Sequence, residues 1–270
     1  MELSFRVILW LFSLDCSLSM LSIIDLEQGG CAVGRNKMVL SLTPIYALVL
    51  SGFIVLTCFG DHAVTTMSEL SSADDSHTVI IEPGHGGVDG GATSCTGVLE
   101  SKFNLDIALR LNDMMHLLGM ETVLIRDSDR SVYTQGETIA QKKVSDLRER
   151  ERVINGTNNA LVISIHQNIF PDAQYWGPQV FYANTDGSKE LAVFLQSTLQ
   201  KGLTPNNNRK SKQAKGVYLM EHIKCTGILL ECGFLSNPEE EARLRNDKYQ
   251  KELCAVIASV FGQYLSNTSL

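Results

Sequence analysis

No C-x-x-C pair occurs among the seven cysteines of this 270-residue chain, which removes the usual signature of a structural zinc knuckle or a dithiol redox centre. Cys16, Cys31, Cys58, Cys95, Cys225, Cys232 and Cys254 are scattered and read as small buried hydrophobes. A disulfide among those after Cys58 would require an oxidising, extracytoplasmic setting. Basic charge is also scarce. Lys and Arg number 23 against 30 Asp and Glu, a net charge of −7, and no basic stripe interleaved with aromatics is present. Nucleic acid is therefore not an expected partner, because phosphate backbones demand such a footprint. There is no internal repeat.

Charge vanishes altogether over residues 39–60, and the apolar run at 46–56 approaches the roughly 20 residues that span a bilayer. Arg35 and Lys37 lie just before it, so the positive-inside bias places everything after Asp61 outside the cytoplasm. A signal peptide, cleaved or not, gives the same pattern. The earlier apolar stretch 7–24 contains Asp15, is flanked by Arg6, and is a weaker span. Cys58 closes the later stretch, but Thr57 fits a lipidation box poorly. A start at Met38 would leave the signal without its cationic flank. The expected organisation is an N-terminal hydrophobic signal or anchor region over 1–60, a Ser/Thr/Asp-rich linker over 61–77, and one domain over 78–266. At 44% hydrophobic content the chain can bury one sizeable core.

Within that domain, β-like and helical patterns alternate. Strands are predicted at 78–81, 121–125, 161–165, 179–182, 216–219 and 227–231, and helices at 100–118, 145–158, 189–201 and 249–265. Such alternation predicts an α/β fold, a sheet flanked by helices. Two polar stretches, 126–144 and 204–215, interrupt the rhythm, and long connections near strand ends are often functional.

The chemistry gathers at strand ends. His85 follows Val79-Ile80-Ile81 in Glu82-Pro83-Gly84-His85-Gly86-Gly87, and His166 follows Val162-Ile163-Ser164-Ile165. In open α/β sheets ligands collect outside the carboxyl ends of strands, so both imidazoles can face one crevice. Gly84, Gly86, Gly87, Gly90 and Gly91 let the backbone bend and approach closely. Catalytic zinc takes three protein ligands of this kind and leaves a fourth position for water. Two histidines then need one carboxylate, either Asp89 in the glycine turn or Glu100 at the start of a helix, where the helix dipole alone would also favour it. Glu231 ends the interior run Ile228-Leu229-Leu230, where a carboxylate needs an ion-pair partner or a task. As a general base beside an activated water it would be worth about 10²–10⁴-fold in rate.

Taken together, Ile81 to Gly87, Glu100-Ser-Lys-Phe-Asn104, Ser164-Ile165-His166-Gln167-Asn168 and Leu230-Glu231-Cys232-Gly233-Phe234-Leu235-Ser236-Asn237 resemble the zinc-dependent N-acetylmuramoyl-L-alanine amidases, over residues 78–265. The resemblance implies a single-domain mixed, mostly parallel sheet flanked by helices. It further implies Zn2+ held by His85, Glu100 and His166, with Glu231 catalytic, acting on the amide between N-acetylmuramic acid and L-alanine in peptidoglycan. Thr134-Gln-Gly-Glu-Thr138, Lys143-Val-Ser-Asp-Leu-Arg-Glu-Arg150 and Gly216-Val-Tyr-Leu-Met220 look like the sporulation branch. That branch prepares spore cortex for muramic-δ-lactam formation and germination with a cooperating deacetylase and, in some members, a lipoprotein activator. An extracytoplasmic location, such as the forespore intermembrane space, would follow.

Two positions depart from the family pattern. Glu82 stands where Asp is usual, one methylene longer and able to disturb a contact orienting His85, and Gln167 replaces a typically apolar residue. Tuning rather than loss of activity is expected. The rival readings are a noncatalytic peptidoglycan-binding or scaffold protein on the same fold, and a zinc carboxypeptidase on stem peptides. The latter commonly carries His-x-x-Glu, and His85-Gly86-Gly87-Val88 lacks that glutamate.

Overall fold

A computed structural model describes residues 77–268. Runs of Val, Ile and Leu form its three central strands, β1 (Thr78–Pro83), β3 (Ala160–Asn168) and β6 (Thr226–Phe234). Near-continuous apolar runs suit strands buried on both faces, where branched side chains pack against the pleat. With β2 (Glu121–Leu124), β4 (Gln179–Tyr182) and β5 (Lys212–Gln213) they make one sheet in the order β2-β1-β3-β6-β4-β5. β4 runs antiparallel to β6, and the other neighbouring pairs are parallel.

Among the described residues six helices accompany the sheet: α1 (Glu100–Leu117), α2 (Ile139–Asn155), α3 (Ser188–Gly202), α4 (Tyr218–His222), α5 (Pro238–Leu244) and α6 (Asp247–Thr268). Alternate strand residues serve opposite faces. Val79, Ile81, Ile163, Ile165, Ile228 and Leu230 share a core with Ile107 and Leu111 of α1, Leu195 of α3, and Ile257 and Phe261 of α6. Ile80, Val162 and Leu229 pack on the other side with Ile154 of α2 and Leu219 and Met220 of α4. Along that second face, toward the carboxyl ends, the apolar positions give way to Glu82, Ser164, His166 and Glu231. The site therefore grows out of the α2/α4 side of the sheet.

Several expectations need correction. Residues 216–219 are not a strand: Gly216 (φ 71) turns the chain, its N–H donates to Glu221 at 2.5 Å, and α4 follows with the Tyr218 and His222 rings stacked 4.1 Å apart. α2 begins at Ile139 rather than 145, set by a reciprocal cap between Thr138 and Gln141. Its first turns bury no apolar stripe, Ile139 being 62% and Val144 48% exposed, so periodicity had nothing to register. α5 was unforeseen, although Asn237 caps it through Glu239 and Glu240 N–H groups and Pro238 opens it. β1, β3 and β6 run on to Pro83, Asn168 and Phe234, so His166 lies within a paired strand. The apolar N-terminal segment lies outside the described residues; among those described, no helix is long and apolar enough to cross a membrane.

Candidate metal centre

Beyond β1 the chain turns through Gly84, His85 (φ 60), Gly86 (φ 126) and Gly87 (φ 58). A histidine in the left-handed region carries strain of order 1–3 kcal/mol that its surroundings must offset. Two buried arginines supply that constraint. Arg126, 0% exposed, donates to the carbonyls of Pro83 (2.9 Å), Gly84 (3.0 Å), Ser101 (2.9 Å) and Ser128 (3.1 Å). Burial and the neighbouring Arg150 pull its pKa down to about 10. Arg150 on α2 donates to Pro83 O (2.9 Å) and His85 O (2.7 Å), and pairs with Glu82 and with Asp146 at 2.6 Å. Gly84 must lack a side chain, because a Cβ there would sit 2.2 Å from the His166 ring. At Gly91 a Cβ would lie 2.7 Å from both Glu100 Oε2 and His85 Cδ2.

The turn delivers His85 Nε2 to 3.3 Å from Glu100 Oε2, while His166 Nδ1 lies 3.0 Å from Glu100 Oε1. The imidazoles meet edge to face with centroids 5.0 Å apart, and one donor atom from each of the three residues lies within 4.8 Å of the other two. Asp89, the other carboxylate weighed from sequence, stands outside this cluster. Its Oδ2 lies 3.0 Å from His85 Nδ1 and its Oδ1 2.7 Å from Lys143 Nζ. A carboxylate on the far nitrogen fixes the tautomer and ring orientation of a ligating histidine. Glu100 is held on all sides, Oε1 accepting from the Gln167 N–H (3.1 Å) and Asn104 Nδ2 (3.3 Å), and Oε2 from the Ala92 N–H (3.0 Å).

Charge follows this geometry. Burial opposes ionisation of Glu100, yet the His166 and His85 imidazoles outweigh it and hold the carboxyl far below its usual range. Burial likewise opposes protonation of His85, but Glu100 and Asp89 raise it to about 9. His166 is raised against its burial by Glu100, Glu82 and Glu231. Beside it, in direct register across β3 and β6, stands Glu231. Burial, and secondarily Glu100, lift Glu231 to about 7 despite the pull of His166 and His85. Its Oε2 is buried without a hydrogen-bond partner among the described residues. Buried polar atoms are nearly always satisfied, so this one implies a guest in the site. Two imidazoles and one carboxylate converging on a point, with a free carboxylate alongside, fit a zinc ion with an open position.

The groups open into a cleft of about 360 Å³ whose walls include Lys142 and Leu147 of α2 and Tyr218 and Leu219 of α4. A larger, shallower hollow of about 720 Å³ lies at the amino-terminal ends of β1, β3 and β6, lined by Asn155, Asn159 and Thr226, and holds none of these groups. Glu82 pairs with Arg150, which itself donates to His85 O at 2.7 Å, so it meets the His85 turn through that guanidinium. It is spent on Arg150 and the Ser164 hydroxyl, which hold it ionised against its burial. Sequence reasoning missed Arg126, Arg150 and Asn104 as supports of the site. A charge directly after the strand residues Val123-Leu124-Ile125 was the available signal for Arg126, because that position is a strand's carboxyl end.

The sequence pattern of the N-acetylmuramoyl-L-alanine amidases matches residues 79–260. The chain belongs to that family. The amidase is 36% identical over 181 residues to the germination-specific N-acetylmuramoyl-L-alanine amidase of Bacillus subtilis, covering 66% of this chain and 76% of the relative. It is 26% identical over 211 residues to N-acetylmuramoyl-L-alanine amidase LytC of the same organism, 77% of this chain but only 39% of LytC. Among solved structures, the CwlD amidase from Clostridioides difficile, in complex with the GerS lipoprotein, superposes with a TM-score of 0.67 at 34% identity. That match covers 71% of this chain and 99% of that one. An N-acetylmuramoyl-L-alanine amidase from Clostridium difficile 630 gives a TM-score of 0.63 at 30% identity, over 72% and 98% of the two chains.

Proposed function

We propose that this amidase cleaves the bond between the lactyl carbonyl of N-acetylmuramic acid and the nitrogen of L-alanine with Glu231 as acid–base group and His85, Glu100 and His166 as zinc ligands. The observation that carries the reading is the unpaired, buried carboxylate of Glu231 set beside the His85–Glu100–His166 cluster. Zinc, when bound, supplies Lewis-acid stabilisation of the developing oxyanion and lowers the pKa of water. Glu231 takes the proton of the water that adds to the carbonyl, a role suited to a buried carboxylate whose Oε2 has no hydrogen-bond partner among the described residues. It then hands that proton to the alanine nitrogen as the C–N bond breaks, leaving a lactyl carboxyl group and a free peptide amine. Asp89 keeps His85 Nε2 turned inward, and Arg126 and Arg150 keep the turn from relaxing.

The germination-specific relative supports a spore-cortex role, in which removal of the stem peptide precedes deacetylation by a second enzyme and closure of muramic-δ-lactam. The lipoprotein-bound solved relative supports a lipoprotein activator for this chain. Peptidoglycan as substrate places the domain outside the cytoplasm, with residues 1–60 as signal or anchor and 61–77 as linker. Digestion of cortex and vegetative peptidoglycan, read by mass spectrometry, tests this. Release of the whole stem peptide, abolished by chelation and restored by zinc, is the expected result. Trimming of terminal residues alone would indicate a carboxypeptidase, and binding without cleavage a scaffold.

A further inference from the structure

We propose that Gln167 is a positioning residue that sets how tightly the site holds its metal, acting on Glu100 through Asn104. The inference rests on the ligand roles given above to His85, Glu100 and His166. Gln167 follows His166 on β3, so its side chain leaves the sheet on the opposite face, toward α1, where it is 4% exposed. There it meets Asn104, 0% exposed and one helical turn from Glu100. Asn104 Nδ2 donates to Gly84 O at 3.1 Å and to Glu100 Oε1 at 3.3 Å. Both partners only accept, so Asn104 Oδ1 must face away from them and needs a donor of its own. Gln167 Nε2 provides it at 3.2 Å. The two amides thus lock each other: turning Asn104 over would set its oxygen against a carbonyl and a carboxylate, and turning Gln167 over would oppose two amide oxygens.

The far end of the same side chain is out of keeping with a purely structural part. Gln167 Oε1 is buried with no hydrogen-bond partner among the described residues. An apolar side chain of equal volume would remove that orphan acceptor but leave Asn104 Oδ1 buried without its donor, so the fold gains little from the exchange. What the glutamine adds is the orientation of the Asn104 amide that binds Glu100. Once the Gln167 donor is gone, Asn104 Oδ1 is buried without a donor, and the amide that holds Glu100 Oε1 is no longer anchored at its other end. Groups that hydrogen-bond a metal ligand typically govern affinity by about 10–100-fold.

The full chain carrying Gln167→Met, which keeps the volume and removes both polar ends, tests this in two measurements. Competition with a chromophoric zinc chelator is expected to show Kd weakened by about 10-fold, the low end of the range, because the side chain reaches Glu100 through Asn104. The thermal midpoint of the metal-free protein is expected to stay close to the parent's, since one buried orphan acceptor replaces another. Unchanged Kd with a lowered midpoint would assign Gln167 to packing and overturn the proposal. Asn104→Leu supplies the second arm: in that background Gln167→Met should weaken zinc no further, and fully additive losses would overturn the route through Asn104. A parent chain that takes up no zinc would overturn the ligand assignment itself. Equal affinity of parent and Gln167→Met would sink the relay and leave the ligands standing.

Discussion

At the scale of single residues, the carboxylates around His85 favour its protonated form, and that makes metal uptake a proton-release reaction. Ligating imidazoles must be neutral. His85 is raised from 6.5 to about 9 by Glu100 and Asp89 against its burial, so zinc affinity should climb with pH until His85 has lost its proton near 9. The sign for stability is opposite. A raised folded-state pKa stabilises the metal-free protein fully below pH 6.5, and that contribution is lost as pH rises through about 9. Thermal midpoints of the metal-free chain between pH 6 and 10 should therefore fall, whereas the zinc-loaded chain should not follow them. Gly84→Ala makes a steric prediction at the same scale. Its Cβ would lie 2.2 Å from the His166 ring, so zinc affinity measured by chelator competition should drop at least as far as for loss of an orienting contact, about 10–100-fold.

At the scale of elements, α2 is more than a cover for the sheet, because Arg150 reaches from it to the turn that carries His85. Arg150→Met leaves Glu82 buried and unpaired, and breaking such a pair costs about 3–5 kcal/mol, readable in urea unfolding. Adding Glu82→Gln should recover part of that loss, since the stranded charge is then gone. Sequence made β1, β3 and β6 legible because Val79-Ile80-Ile81, Val162-Ile163 and Ile228-Leu229-Leu230 announce strands buried on both faces. It also singled out four polar groups that the structure brings together, because each sits at or near a strand or helix end. α4 was not legible: Gly216-Val217-Tyr218-Leu219 has a strand's residue preferences, and only the Tyr218–His222 stack and the burial of Leu219 and Met220 decide for a helix. Arg126 and Arg150 escaped for a related reason. Arginine in a polar stretch reads as solvated surface, and only tertiary structure reveals backbone carbonyls arranged to receive it.

At the scale of the whole molecule, the two faces of the sheet divide the work. The α1/α3/α6 side carries the larger core, and the α2/α4 side thins toward the carboxyl ends into a cleft where Glu82, Ser164, His166 and Glu231 replace apolar side chains. Parallel register sets His166 against Glu231 without help from any loop. Chain segments some 65 residues apart, ending β3 and β6, thereby place a ligand and an acid–base group side by side. The most direct measurement is turnover of a defined muropeptide by the parent chain and by Glu231→Gln, with zinc content determined on the same samples. Equal zinc, with release of the intact stem peptide slowed by about 10²–10⁴-fold in Glu231→Gln, is the predicted result. Parent-like turnover by Glu231→Gln at equal zinc would contradict the account.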